Sequence, residues 1–307
     1  MSRAFSLFLL LLPAALFTQG EGGFAAPFLR MGLGARGISM GGALTAIADD
    51  GFAAYYNPGG LSFLNARHFV TTYSFLTLDR QFHFISYSQN LKPTAGLSLF
   101  WLGAGTDNID GRDLSGNHTF DFSESMNAFG ISFSNKFHDR LAVGLTMKII
   151  THSLDLIDDK LDANDLSFDF GIMAIPIDRL RLGVALKDFK GGLKWDTQSI
   201  FEFGTKSIDT FPYSVHLGGS YSLDNGLLIA SSFEFNQEQE ERAHFGVEYQ
   251  RNEIYSVRVG TNDTAVSFGG GLYYLVSEAV YTNIDYAFQP EFAGEGGTHL
   301  FSWEFIF

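Results

Sequence analysis

Residues 141–149 read Leu-Ala-Val-Gly-Leu-Thr-Met-Lys-Ile. Leu141, Val143, Leu145, Met147 and Ile149 are large and apolar, while Ala142, Gly144, Thr146 and Lys148 are small or polar. A period of two is the mark of a strand with one apolar face, because successive side chains leave a pleated backbone on opposite sides. The same alternation recurs at Leu166, Phe168, Phe170 and Ile172, at Phe245, Val247 and Tyr249, at Val280, Thr282, Ile284, Tyr286 and Phe288, and at Phe301, Trp303, Phe305 and Phe307. The intervening positions carry isolated charges: Lys148, Asp169, Glu248, Arg258, Asp285 and Glu304.

Working outward from this stretch, fourteen strands are expected, over 66–75, 80–89, 93–102, 124–136, 140–152, 164–175, 180–187, 211–222, 226–236, 242–250, 253–260, 264–274, 278–288 and 298–307. Even-numbered strands are followed by turns of about three to five residues. Odd-numbered strands are followed by connections of varied length, with long loops expected at 103–123, 153–163, 188–210 and 289–297. Short turns on one rim and long loops on the other are the pattern of a membrane barrel. In a soluble sandwich the aromatic faces would have to be packed between two sheets. In a barrel they meet lipid and the six charges face the lumen. Backbone groups in hydrocarbon must all be paired, so the sheet must close. The expected fold is all-β: a 14-stranded antiparallel transmembrane β-barrel with a small N-terminal plug containing short helices. An even strand count places both termini on the periplasmic side.

Composition agrees. The chain has 32 Phe, 12 Tyr, 34 Gly and only 7 Pro in 307 residues, a balance that favours strands. It has no Cys, which excludes disulfides and thiolate metal sites. A net charge of −14 argues against nucleic acid as a partner. Arg3 followed by the apolar run Phe5–Phe17, with Thr18-Gln19-Gly20 behind it, reads as a secretory signal peptide over 1–20. The run is too short, and too interrupted by Pro13, for a spanning helix of about 20 residues. The expected divisions are therefore 1–20 signal peptide, 21–65 plug and 66–307 barrel.

Gly32, Gly34 and Gly37 reproduce the G-x-G-x-x-G spacing of dinucleotide sites. That motif needs a preceding strand and a following βα unit. Ala25-Ala26-Pro27-Phe28 shows no strand pattern and the rest of the chain is β-only, so the glycines need another use. A barrel of this size is roughly 28 Å across, too wide for side chains to fill. Residues 21–65 are expected to fold into that space, their glycines allowing close approach to the wall. Short helices are expected at Ala43–Ala48 and Phe52–Tyr56, the second capped by Asp49 or Asp50 and stopped at Asn57-Pro58-Gly59-Gly60. Arg36 would need a carboxylate in the lumen, with Asp169, Glu248, Asp285 and Glu304 as candidates.

The run Arg36-Gly37-Ile38-Ser39-Met40-Gly41-Gly42-Ala43, then Ala48-Asp49-Asp50, then Asn57-Pro58-Gly59-Gly60-Leu61, resembles the N-terminal signature of the PorV/PorQ family of FadL-like outer-membrane barrels. Gly59 stands where that family usually has Ala. The resemblance implies an outer-membrane protein, exported through a cleaved signal peptide. It also implies a partner in type IX-like secretion that receives or shuttles exported cargo. The alternative it implies is a FadL-like channel for hydrophobic small molecules such as fatty acids, for which Phe189, Leu193, Trp195, Ile200, Phe201 and Phe203 are candidate lining residues. The terminal pattern Phe301, Trp303, Phe305, Phe307 resembles the signal read by the barrel-assembly machinery. Expected partners are thus outer-membrane lipid, the assembly machinery, and either secreted cargo with other secretion components or a hydrophobic ligand.

No cofactor, metal or catalytic residue is expected. The eight His lie apart in sequence without ligand spacing. The acidic run Asp155, Asp158, Asp159, Asp162 and Asp165 lacks EF-hand spacing and reads as a solvated loop, with calcium bridging to lipopolysaccharide as the alternative. Pairs such as Ser86 and His83 imply no third catalytic group, so an enzyme is not expected.

Overall fold

The computed structural model describes residues 24–156, 159–199, 203–238, 240–252, 254–263, 265–290 and 297–307. The signal-peptide reading of 1–20, the lining candidates Ile200 and Phe201, and most of the expected loop 289–297 lie outside these residues. Ahead of the sheet come 3-10 turns at Pro27–Arg30 and Pro58–Phe63 and two helices, α1 (Ala35–Ser39) and α2 (Ala53–Tyr56). The first strands are β1 (Arg67–Phe75), β2 (Arg80–Leu91), β3 (Ala95–Arg112), β4 (His118–His138), β5 (Leu141–Asp155), β6 (Lys160–Ile177) and β7 (Leu180–Phe189). A small hairpin follows, β8 (Gly192–Asp196) with β9 (Lys206–Thr210). The remaining strands are β10 (Ser214–Ser222), β11 (Leu227–Asn236), β12 (Arg242–Arg251), β13 (Tyr255–Thr261), β14 (Val266–Ser277), β15 (Val280–Pro290) and β16 (Gly297–Ile306).

All strands but β8 and β9 form one closed antiparallel barrel of fourteen. β7 pairs directly with β10 across the inserted hairpin. β16 closes on β1 with Phe69 opposite Phe305 and Thr71 opposite Trp303. The last residue is held in the closure: Arg67 N donates to the Phe307 carbonyl at 2.9 Å and Phe307 N to the Arg67 carbonyl at 3.0 Å. The wall therefore presents no open edge to hydrocarbon.

The alternation seen at 141–149 sorts the side chains in space. Leu145 is 44% exposed and Trp303 46%, whereas Ala142, Thr146 and Lys148 on the other face are buried. Phe129, Phe133, Phe170, Phe268, Phe301 and Phe307 also point outward. Ser88, Ser98, Ser132 and Thr146 point inward and pair in part with one another, as in Ser88 Oγ to Ser98 Oγ at 2.7 Å. Large apolar outside and small polar inside is the reverse of a soluble protein and follows from lipid being the solvent.

Two expected loops prove to be strand. Residues 103–123 continue the β3–β4 ladder, with Ile109 opposite Phe122 and Asp110 opposite Asp121. Residues 153–155 and 160–163 continue β5–β6 to the pair Asp155 and Lys160. The apolar alternation fades there because both faces are wet once the hairpins project past their neighbours, yet the backbone pairing persists. At 3.3 Å per residue β3 is about 60 Å long, far more than the 9–11 residues a tilted span needs.

The plug is correspondingly compact. Ala43–Ala48 is a turn, not the expected helix, because its backbone lies against wall glycines: a Cβ on Gly183 would strike Thr45 and Ala46. The helix forms earlier, at Ala35–Ser39. Gly41 adopts φ +63° and packs on the Thr261 backbone, while Gly260 faces Met40 and Gly41. Gly32, Gly34 and Gly37 serve the plug's own packing instead of the wall: a Cβ on each would strike Ile38, Phe52 and the Tyr56 hydroxyl respectively.

Candidate functional site

Arg36 ties the plug to the wall. Its Nε and Nη2 donate to the two oxygens of Glu248, both at 2.9 Å, in a two-pronged pair. Its Nη1 donates to Asp49 at 2.8 Å and Asp50 at 3.0 Å. The network extends along the wall: Arg258 donates to Glu248 and Asp285, and to the Tyr273 hydroxyl at 3.1 Å. Arg181 holds Asp49 from the opposite side at 2.8 Å. Glu304 accepts from Gly51 N at 2.9 Å and contacts His68 Nδ1 at 2.8 Å. Lys148 reaches Asp169 at 2.7 Å and also Asp188. Each of the six inward charges expected from the sequence thus has an ionic or hydrogen-bonding partner, as a buried charge must. Of the four carboxylates proposed for Arg36, Glu248 is the one it meets.

The other plug positions act through packing and backbone. Asn57 is fully buried; its Nδ2 donates to the Thr45 carbonyl at 2.8 Å and the Ile172 carbonyl at 3.0 Å, and its Oδ1 accepts from Gly59 N at 3.0 Å. It ends α2 and starts the second 3-10 turn, stapling the plug to β6. Pro58 lies against Gly144 of β5, and Met40 fills the space left by Gly246 and Gly260. Asp50 accepts from Phe52 N at 3.0 Å, just ahead of α2; Asp49 serves the arginines instead.

The lumen has two unlike sides. Phe82, Phe84, Phe100, Leu102, Met126, Ala128, Ile150 and Ala163 of β2–β6 form an apolar wall that packs on Phe28, Phe52 and Tyr55 of the plug. Phe52 stacks on Phe84 with ring centroids 5.5 Å apart, and Phe84 packs at a tilt on Phe100 at 5.9 Å. Leu193 of the inserted hairpin joins this cluster from above, and Trp195 packs edge-on to His152 at 4.9 Å. The hairpin is therefore folded over the apolar side. Phe189, by contrast, packs against lipid-facing Phe170, and Phe203 is exposed. Most of the ionic network lies on β7 and β12–β16, with Lys148 of β5, Asp169 of β6 and His68 of β1 completing it.

Between plug and wall lies a cavity of about 270 Å³, whose lining mixes Met31, Ile38, Leu76, Phe82 and Leu300 with Arg80, Glu234, Arg242 and His244. A smaller cavity of about 60 Å³ shares Arg30, Gly42, Glu234 and His244 with it and is bounded by Lys187, Asp188, Ser214 and His216. Lys187 Nζ sits 3.9 Å from the centroid of the Tyr55 ring. Sequence reading assigned no role to His216, Glu234 or His244; barrel register alone brings them together.

On the projecting β3–β4 hairpin, Asp110, His118 and Asp121 lie close enough to share an ion. His118 Nδ1 is 2.7 Å from Asp110, which Arg112 also holds. Hydrogen bonds from His118 and Arg112 keep the Asp110 carboxyl below its ordinary pKa, and the bond to Asp110 raises that of His118. All three are solvent-exposed.

No protein-family model matches the chain, and no curated relative matches it. Solved structures do. The Ralstonia pickettii toluene transporter TbuX aligns with a TM-score of 0.62 at 14% identity, over 90% of this chain and 97% of its own. The Pseudomonas putida toluene transporter TodX aligns at 0.62 and 15%, over 90% and 96%. A Pseudomonas aeruginosa FadL homologue aligns at 0.64 and 13%, over 90% and 98%. At these identities the likeness is one of fold: a closed fourteen-stranded antiparallel barrel with few short helices, like the FadL-like barrels.

Proposed function

We propose that this protein is an outer-membrane channel that admits hydrophobic small molecules past a plug held in its lumen. The observations that carry this reading are an apolar, aromatic wall on β2–β6 packed on the plug, with Leu193 of the β8–β9 hairpin joining it, and, beside the plug, a cavity of about 270 Å³ lined by Met31, Ile38, Leu76, Phe82 and Leu300 as well as by charged groups. A water-filled pore would have no use for such a wall. A cavity with an apolar face and a few convergent polar groups suits a small, mostly apolar ligand. The fold neighbours described as toluene transporters support the same reading. The chain reaches its membrane through export and barrel assembly, the terminal Phe301, Trp303, Phe305 and Phe307 serving as the assembly signal. It performs no catalysis.

The resemblance of the plug motif to secretion-associated barrels supports a second reading, a receiver of exported cargo. Two of the long outer connections that would have to meet cargo are built as hairpins: 103–123 pairs as β3 with β4, and β8 pairs with β9, Leu193 joining the interior cluster. Uptake separates the two. Proteoliposomes containing the channel take up labelled toluene or fatty acid faster than empty liposomes. Equal rates, with secreted proteins co-purifying on the tagged barrel, overturn the channel reading in favour of the cargo one.

A further inference from the structure

We propose that seating the plug in the lumen takes up a proton at the contact between Asp50 and Glu304, so that the plug is held firmly in acid and loosens as the pH rises. The distribution of charge around Arg36 carries the inference. Arg36 offers one positive charge to three carboxylates, those of Asp49, Asp50 and Glu248. Arg181 of β7 adds a second beside Asp49, and Arg258 of β13 a third, shared between Glu248 and Asp285. Glu304 of β16 joins the set by accepting the N–H of Gly51, the residue after Asp50. Its ionic partner among the described residues is His68 of β1.

Three arginines (Arg36, Arg181, Arg258) thus face five carboxylates (Asp49, Asp50, Glu248, Asp285, Glu304). The excess is two negative charges when His68 is neutral and one when it is an imidazolium. Asp50 is 7% exposed and Glu304 6%, so solvent does little to screen them. Unbalanced like charge in such a place is relieved by protonating one of the group. The neighbouring phenols supply no cation: the Tyr56 hydroxyl of α2 donates to the Leu33 carbonyl, and the Tyr273 hydroxyl of β14 accepts from Arg258.

Asp50 is the member best placed to take the proton. Its Oδ1 accepts from Phe52 N at 3.0 Å, and its Oδ2 accepts from the same Arg36 Nη1 that also serves Asp49. Burial, opposed by Arg36 and reinforced by Glu304 and Asp49, pushes its carboxyl from 3.8 up to about 6. Between those two values the seated plug holds a proton that a loosened plug, with Asp50 in water, releases. Seating is therefore strongest below about pH 4, weakens by roughly tenfold per pH unit for one proton up to about pH 6, and changes no further through Asp50 above that. His68 acts in the same direction, because its imidazolium offsets Glu304.

The test records the ion conductance of the full-length protein in planar bilayers at about pH 4.5 and about pH 7.5, where a loosened plug is read as channel opening. The open fraction is expected to rise by about tenfold or more between the two. Glu304→Gln keeps an oxygen for Gly51 N and His68 while removing one negative charge, and is expected to stay closed at both pH values. Asp50→Asn, which cannot ionise, is expected to give the same open fraction at both. Asp178→Asn, on the exposed turn between β6 and β7, keeps the full response. An open fraction that is unchanged or falls as the pH rises in the unaltered protein overturns the proposal whatever the variants do. So does a response that survives in Asp50→Asn or is lost in Asp178→Asn, and so does a Glu304→Gln channel that opens at either pH. The readout is ion flow, so the result is separate from which solute the channel admits.

Discussion

Arg36 shows how a single side chain can hold a plug. It is nearly buried and makes four charge-assisted hydrogen bonds, two to the wall and two within the plug. Removing one member of a buried ionic set strands the others, which typically costs about 3–5 kcal/mol. Arg36→Ala is therefore expected to loosen the plug while leaving the barrel closed. Limited proteolysis in detergent reads this directly, as faster cleavage within residues 24–65 and an intact barrel fragment; unchanged protection would contradict it. Gly260 tests the packing side of the same joint. A side chain there has no room beside Met40 and Gly41. Gly260→Val is expected to cost about 1–3 kcal/mol through overpacking, seen as a lower Tm. The need for an Arg36 partner was legible in the sequence, because a lone charge in a narrow lumen is costly. The choice of Glu248 was not, since it depends on where the plug sits against β12. His216, Glu234 and His244 were invisible for the same reason: no local spacing joins residues that meet only through strand register.

At the scale of elements, the strands were legible where lipid enforces contrast. In β5 every outward residue from Leu141 to Ile149 is large and every inward one small, polar or charged, so the period stands out. Past the membrane that contrast goes, and the ends of β3 and β4 read as loop although they pair. Beyond Asp107, which still bonds the Asp79 carbonyl and Gln81, residues 109–122 find ladder partners only among themselves, past the last partners Arg80 and Asp155 on the flanking strands. Replacing 109–122 by a tight turn should thus leave the barrel folded, with heat-modifiable migration kept and Tm changed by only a few degrees. Loss of folding on that truncation would show that the hairpin belongs to the wall. The missing helix at Ala43–Ala48 has a different cause. Its small residues suit a helix locally, but close contact with the wall glycines fixes another backbone path, and packing outweighs propensity.

For the whole molecule, everything turns on which side of the wall meets hydrocarbon. A barrel with Leu145, Phe129 and Trp303 facing lipid leaves its interior for the plug, the ionic network and an apolar passage. Inverted, the same sheet would expose buried charges and have no site. The chain contains three Trp, and two of them report the two sides. Trp303 lies on the outer face of β16, while Trp195 lies on the hairpin folded over the lumen. Single-tryptophan proteins, with the other two Trp replaced by Phe, can be reconstituted into bilayers containing lipids brominated on their chains. Strong quenching of Trp303 with little quenching of Trp195 is the expected result; equal quenching of both, or none at Trp303, would contradict a closed wall with its aromatic face in lipid.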